Sequence, residues 1–524
     1  MFRKALTLLV VVSVMLTAVP TTAVANPLTD SSTDRPDIIK YADGNPSYVV
    51  ELADGDAASD LEDWSNESDR QLVSVDNTTG IAVVAAPSVQ VDDDMSFLSR
   101  ILAGGLLVDP LGEESFVEDV SPNYRLELAD PKTETELMNV SEYDAPESAD
   151  SGLLSSEAMP TEGMAFDEDA NRTVMSESRS YVGADNVSAT GTGITVAAID
   201  TGTNTAGGRV FGENGDTNSS IRVSNASKNF ISNETVSSDG YDAVEDGSSS
   251  RHGTWVSSAI AGDPAGTRDD GVAPDASLLV LKALADDGSG STADIARAVR
   301  YASQQNADVI SMSLGSPVYS EALERAITDA RDSGSIVVVA AGNSRQSTKW
   351  VASPADVDGV VAVGATNGEN PADAKSAYFS QVGPDPGTLD DSAGVTNGEG
   401  IDVAAPGMST VARIATPSGT VQNKTLSGTS MATPLVSGVI ALGLATDSID
   451  SEGALDSVRS TARPVPSAGE TEVGAGMVAA DNLVDGTEPE TSQLDARTDD
   501  AVTRDATYSE LSDSSGGSIA RLLS

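Results

Sequence analysis

The chain has 524 residues, with 30 Lys and Arg against 81 Asp and Glu, one His and no Cys, giving a formal charge of −51 at pH 7. So acidic a surface repels phosphate, which excludes a nucleic-acid partner and disfavours anionic lipid, and the absence of Cys excludes disulfides, thiolate catalysis and thiolate metal sites. Hydrophobic residues at 39% in periodic segments separate the chain from acidic disordered proteins, so the charge reads as adaptation to a salty medium, where at ~1 M salt the Debye length falls to ~3 Å.

Residues 1–25 read as a signal peptide: Arg3 and Lys4, an apolar run from Ala5 to Leu16, then Ala23-Val24-Ala25 before Asn26. The run is too short to span a bilayer comfortably. The reading is therefore a secreted, extracellular product with no membrane anchor. Residues 26–128 alternate strand and helix patterns: "SYVVELAD", "QLVSVDN", "GIAVVAAP" and "SFVEDVSPNYRLEL" read as strands and "MSFLSRILAG" as a helix, a small α+β module. Residues 129–172 are acidic and weakly periodic, an exposed linker open to cleavage. Residues 173–485 form the main domain, and 486–524 an acidic tail with little to bury.

Short apolar runs recur through the main domain: "ITVAAID", "SLLVLKAL", "DVISMSLG", "IVVVAAG", "VVAVGAT" and "IDVAAPG". Continuous runs of this kind suit parallel strands covered on both faces. Helical patterns lie between several of them. One starts at a Ser291/Asp294 capping arrangement, and another runs from Ser320 to a Gly334 stop. The predicted fold class is α/β, a doubly wound and mainly parallel sheet with helices on both faces. In such sheets functional groups gather at the carboxyl ends of the strands.

Four residues fall there. Asp200 ends the first strand, the lone His252 opens a helix-like stretch, Asn343 follows another strand end, and Ser430 sits where a Gly-Thr turn meets an apolar helix. Singly, each is ordinary: an Asp or Ser is commonly a cap, an Asn after Gly a turn, and a lone His a residue without chemistry. Together they supply an acyl-transfer set. A serine hydroxyl needs a base, and imidazole has the suitable pKa. A carboxylate orients that imidazole, and an amide can donate to an oxyanion.

The motifs "DTG" (200–202), "HGT" (252–254), "GVAP" (271–274), "SMSLG" (311–315), "AAGN" (340–343), "DVAAPG" (402–407) and "GTSMATP" (428–434) occur in this order. In them the chain resembles the subtilisin-like serine proteases, and its acidic, Cys-free character is similar to the halolysins, secreted proteases of halophilic archaea. The order Asp, His, Ser is the one subtilisin uses. The resemblance implies Ser430 as nucleophile, His252 as general base and acid, Asp200 as its orienting partner, and Asn343 with the Ser430 N–H as oxyanion donors. It further implies that Gly288, Ser289 and Gly290 pair with an extended substrate. Ser313, Leu314, Gly315, Ala340, Ala341 and Gly342 would line a roomy apolar pocket for the residue before the cut, predicting cleavage after large hydrophobic residues.

By the same resemblance, residues 26–128 are a propeptide that blocks the cleft in cis until cut away between Tyr124 and Met175. Trp255 stands where the family often has His, Ser257-Ser258 where Ala-Gly is usual, and "AAGNSR" lacks the Gly that frequently follows Asn. The polar stretch between Asp200 and His252 has the oxygen chemistry for calcium, but solvated loops are the favoured reading, no ligands are assigned, and no cofactor is required for the chemistry. A monomer acting on polypeptides is expected. The alternatives are an inactive binding protein of the same fold and an esterase or lipase. The serine's Gly-Thr-Ser-Met-Ala setting departs from the G-x-S-x-G elbow of the latter.

Overall fold

A computed structural model describes residues 47–128 and 172–489, apart from 54–56, 67–70, 86–110, 112–113, 205–222, 237–241, 263–270, 317, 346–350, 384–399, 417 and 419–420. The expected signal peptide, the helix at 95–104, all but residue 172 of the linker, and the tail beyond 489 lie outside the described residues. The N-terminal region contains β1 (Ser47–Leu52), α1 (Ala57–Ser65), β2 (Gln71–Asp76), β3 (Ile81–Ala85), β4 (Val117–Pro122) and β5 (Arg125–Glu127). The larger region begins with β6 (Thr173–Val174), α2 (Met175–Tyr181), β7 (Thr195–Asp200), β8 (Lys228–Asn229), β9 (Glu234–Thr235), α3 (His252–Ala261), β10 (Ser277–Lys282) and β11 (Ser289–Ser291). It continues with α4 (Thr292–Gln304), β12 (Val309–Met312), α5 (Glu321–Asp332), β13 (Ile336–Ala340), β14 (Val361–Thr366), β15 (Val403–Pro406), β16 (Thr410–Ala415) and β17 (Val421–Leu426). The helices α6 (Thr429–Ala445), α7 (Ala454–Thr461), α8 (Glu470–Val473) and α9 (Ala480–Asp485) complete it.

Among the described residues the main sheet has the order β15-β14-β13-β12-β7-β10-β8-β9. Its pairs are parallel except the edge pair β8/β9. Alternating residues of each strand go to opposite apolar layers. Val196 and Ala198 of β7, with Val338 of β13, pack with Trp255, Ile260 and Leu435 of α3 and α6. Ala197, Ile199 and Val339 pack with Ile295, Val299 and Ile327 of α4 and α5. This period-2 division, covered on both sides, is why the strands read as unbroken apolar runs. The expected helix starts are also present: Ser291 Oγ accepts from Asp294 N at 3.0 Å, and Ser320 Oγ accepts from Leu323 N at 3.4 Å.

The N-terminal region forms an antiparallel sheet of order β2-β3-β1-β4. Its α1 buries Ala57, Leu61 and Trp64, one helical face, and belongs to a separate small core with Tyr48, Val50 and Val84. Val49, Ile81 and Val83 on the other face of this sheet join the apolar layer of α4 and α5. The stretch 115–128, expected as a single strand, divides. β4 pairs with β1, whereas β5 leaves the sheet and runs antiparallel to β11, matching Ser289 with Glu127, Gly290 with Leu126 and Ser291 with Arg125. Among the described residues no helix is long and apolar enough to cross a membrane.

Candidate active site

The chain reverses direction of winding between β7 and β12, which lie side by side although β10 intervenes in sequence, and the site lies beyond the carboxyl ends of these strands. Asp200 is the last residue of β7 and 2% exposed. Its Oδ1 accepts from Thr201 N at 2.7 Å. Gly202 has φ +102, and a Cβ there would lie 2.4 Å from Val244 O; one on Gly253 would lie 2.2 Å from Gly202 O. The "DTG" and "HGT" glycines therefore let the two main chains meet without side chains between them.

His252 is the first residue of α3 and fully buried. Its Nδ1 lies 2.9 Å from Asp200 Oδ1 and 3.0 Å from Oδ2. That contact assigns the proton to Nδ1, because a carboxylate can only accept, and leaves Nε2 as the basic nitrogen. Among the described residues Nε2 makes no hydrogen bond.

Ser430 is the second residue of α6 and is also fully buried. Its hydroxyl donates to Ser313 O at 3.3 Å, while Ser313 Oγ donates to Ser430 O at 3.0 Å. The structure thus joins Asp200 to His252 directly, and the Ser430 hydroxyl is turned toward Ser313 rather than toward the imidazole. Within the first turn of α6 the Ser430 N–H has no intrahelical acceptor. Asn343 Oδ1 accepts from Thr429 N at 2.9 Å and Thr429 Oγ1 at 3.0 Å. Its Nδ2 lies on the Gly428 side, 2.9 Å from where a Cβ of that residue would stand.

The expected pocket residues divide. Gly315 and Gly342 flank Ala352, whose Cβ would lie 2.9 Å and 3.1 Å from a Cβ at either position; the absence of side chains there lets the two loops close on Ala352. Ser313 is tied to Ser430, and Ala340 ends β13. Leu314 and Ala341 belong to the apolar layer of α4 and α5. The expected substrate-pairing residues Gly288, Ser289 and Gly290 are covered by the N-terminal region: Leu128 N donates to Gly288 O at 2.9 Å and β5 pairs with the rest. Beside them, Ser289 Oγ and N donate to Asp287 at 2.6 Å and 3.0 Å and, with Arg125, hold its carboxyl below the usual carboxylate range.

Two departures from the family pattern acquire physical roles, and the stretch after Asn343 carries a buried ion pair. The Trp255 indole N–H donates to Lys424 O at 3.1 Å. Ser257 shares a 2.5 Å bond with Thr203, and Ser258 donates to Arg413 O at 2.6 Å, so α3 is stitched to its neighbours by polar groups. After Asn343, Arg345 is fully buried, donating to Ser376 Oγ at 2.9 Å and pairing with the equally buried Glu472. Glu472 also accepts from Gly469 N at 2.8 Å. No sequence signal linked residues so far apart. No cluster of carboxylates and His suited to a metal occurs among the described residues.

A doubly wound sheet that gathers an Asp–His pair, a helix-start serine and an amide donor at its carboxyl end has the layout of a subtilisin-like hydrolase. The subtilase family profile matches residues 191–472. The chain is 37% identical over 215 residues to Subtilisin DY of Bacillus licheniformis, covering 41% of this chain and 67% of that one. It is 32% identical over 343 residues to the M-protease of Shouchella clausii, covering 62% of this chain and 77% of the relative. The chain belongs to the subtilase family of serine endopeptidases. Among solved structures, fervidolysin of Fervidobacterium pennivorans, a keratinolytic enzyme related to subtilisin, superposes with a TM-score of 0.57 at 20% identity. That likeness covers 85% of this chain and 61% of fervidolysin, and it is one of fold.

Proposed function

We propose that the chain is a secreted endopeptidase that hydrolyses peptide bonds through an acyl-enzyme on Ser430, works in high salt as the halolysins do, and is held latent by its own residues 26–128. The observation that carries this reading is the Asp200–His252 contact at 2.9 and 3.0 Å, beside a serine at the start of a buried helix.

The chemistry follows from the protonation state. With Nδ1–H donated to Asp200, Nε2 takes the Ser430 proton as Oγ attacks the carbonyl, once the hydroxyl turns from Ser313 O. Asp200 stabilises the imidazolium so formed. The developing oxyanion is met by Asn343 Nδ2 and the Ser430 N–H. Collapse of the tetrahedral intermediate transfers the Nε2 proton to the leaving amine, and water repeats the sequence on the ester. Nothing in this route needs a cofactor. The small, uncharged residues expected to line the pocket, among them Ser313, Gly315, Ala340 and Gly342, favour a large apolar side chain before the cut, so a peptide library showing preference for Lys or Arg there would refute the assignment of this pocket.

Latency rests on β5. An extended segment paired on β11 and Gly288 uses the main-chain groups that a substrate needs. The net charge of −51 supports the salty medium, and the N-terminal 25 residues support export.

The test is a fluorophosphonate probe applied to the secreted protein in high salt, with the adduct mapped by mass spectrometry and His252→Ala as control. Label on Ser430 that disappears in the control establishes nucleophile and base together. A wild-type protein released from residues 26–128 that still takes no label would refute the assignment.

A further inference from the structure

We infer that Asp246 is a positioning residue that locks the Asp200–His252 pair, an inference that rests on the reading of that pair as reacting groups. Asp246 is fully buried, and its carboxylate takes five hydrogen bonds, all from neutral donors. Oδ1 accepts from Thr201 Oγ1 at 3.1 Å, Ser248 N at 3.0 Å and Ser248 Oγ at 2.6 Å. Oδ2 accepts from Thr254 N at 3.0 Å and Thr254 Oγ1 at 2.8 Å.

These donors are the immediate neighbours of the reacting groups on both chain segments. Thr201 follows Asp200, and its Oγ1 in turn accepts from Gly253 N at 3.0 Å. Thr254 lies two residues past His252, and its Oγ1 accepts from Asn204 N at 3.0 Å. Ser248 Oγ accepts from His252 N at 3.3 Å. One carboxylate therefore fixes the turn that ends β7 and the first turn of α3 relative to each other.

It also replaces a missing cap. The residue before α3 is Arg251, in the left-handed conformation at φ 56 and with no side-chain capping bond. The Thr254 N–H is one of the donors a helix start leaves open, and Asp246 accepts it from outside the helix. A negative charge at that end is favoured by the helix dipole. The other charged groups facing the pair are Lys282, whose ammonium donates to Thr201 O at 2.6 Å and Asp286 at 2.7 Å, and Arg251, which donates to Asp246 O at 2.5 Å. Neither ammonium nor guanidinium bonds the His252 ring or the Asp200 carboxylate. Asparagine at 246 cannot serve the same donors, since its nitrogen would face either Ser248 N or Thr254 N.

His252 is the only histidine, so its ring gives one set of resonances in the full-length chain. The experiment compares Asp246→Asn, Asp246→Ala, Thr254→Val and Thr254→Ser by ring NMR with the Nδ1–H proton as reporter. The released enzymes are compared by pH profile and kcat per titrated site. In D246N the Nδ1–H signal is expected to move upfield and exchange faster. The acidic limb of kcat/KM is expected to shift lower by roughly half a pH unit or more, because a looser Asp200 stabilises the imidazolium less. Loss in kcat of roughly 10²-fold with little change in KM is expected. T254V should act in the same direction more weakly, and T254S should restore wild-type behaviour. A merely structural role would lower the amount of active protein without moving the pH midpoint or the ring proton. An unchanged ring proton and an unchanged midpoint in D246N, with T254V and T254S alike, would overturn the inference even if D246A fails to fold. If the wild type proves inert while D246N still shifts the Nδ1–H signal, the enzymatic reading falls and the positioning role stands.

Discussion

The N-terminal region meets the catalytic region in two places that share almost no chemistry. Across the face of α4 and α5 the contact is made by side chains. Glu51, 3% exposed at its side chain, lies 2.5 Å from Arg300 and 2.6 Å from Arg325, and Arg325 also reaches Asp119 at 2.6 Å. Arg297 donates to Ser74 Oγ at 2.8 Å and Ile81 O at 3.2 Å, and Lys228 pairs with Asp76 at 3.3 Å. Along β11 the contact is a main-chain ladder on Gly288, Ser289 and Gly290. A chain with only 30 basic residues places several on the face, where each selects a carboxylate or carbonyl of one partner, whereas β5 carries one, Arg125, which pairs with Asp287 at 3.4 Å beside the ladder. The face is built to recognise a single sequence. The ladder uses main-chain groups, which every extended peptide carries.

Changes that touch neither contact should separate chemistry from both. On the proposed mechanism Asn343→Ala removes an oxyanion donor and should lower kcat by roughly 10²–10³-fold, the range the equivalent loss costs in subtilisin. KM and retention of the N-terminal region should stay as they are, a split that steady-state kinetics and gel analysis of the secreted forms would read. Gly290→Val breaks the ladder, since its Cβ would stand 2.6 Å from Ala283 O. Losing one or two main-chain bonds of about 1 kcal/mol each should raise KM roughly tenfold and loosen residues 26–128 as well. If KM stays constant, β11 is not the substrate-pairing strand.

Glu51→Gln acts on the face alone. It removes the charge shared by two arginines and should weaken retention by about 2 kcal/mol or more, so activity appears earlier after secretion while the released enzyme keeps its kcat and KM. Equal effects on retention and KM would mean that the two contacts are not independent. A smaller effect lies away from both. Burial raises the Asp356 carboxyl from 3.8 to about 6, with repulsion from Glu324 and Asp358 adding to it. The folded state then holds a proton that the unfolded chain has released, so stability should fall by about 2 kcal/mol as pH rises from below 4 to above 6. Asp356→Asn should flatten that slope in thermal melts. A melt series with the slope intact would place the titrating group elsewhere.

What the sequence disclosed depended on how local the signal was. The strands of the main sheet carried their own apolar runs, and Ser291 and Ser320 announced their helices within three residues. Helix α1 was missed because "AASDLEDWS" shows only Ala57, Leu61 and Trp64 as an apolar face within an acidic stretch. β4 and β5 read as one strand because the partner that separates them, β11, lies more than 160 residues further on. Asp200, His252, Asn343 and Ser430 were visible through their motifs. Asp246 sat unremarked in a loop read as solvated, and Arg345 drew no reading beyond the absence of a glycine after Asn343. In both cases the meaning lies in partners that only the fold brings near.

Glu472 closes the range over which the family pattern extends, and the guanidinium it neutralises follows Asn343 by two residues. Until position 472 has been synthesised and folded back, Arg345 lacks the buried carboxylate of Glu472, and removing one partner of a buried ion pair costs several kcal/mol. The burial of Arg345, close to Asn343, is therefore coupled to the placement of α8. A shortened form ending before Glu472 would have to place Arg345 without this carboxylate, two residues from Asn343.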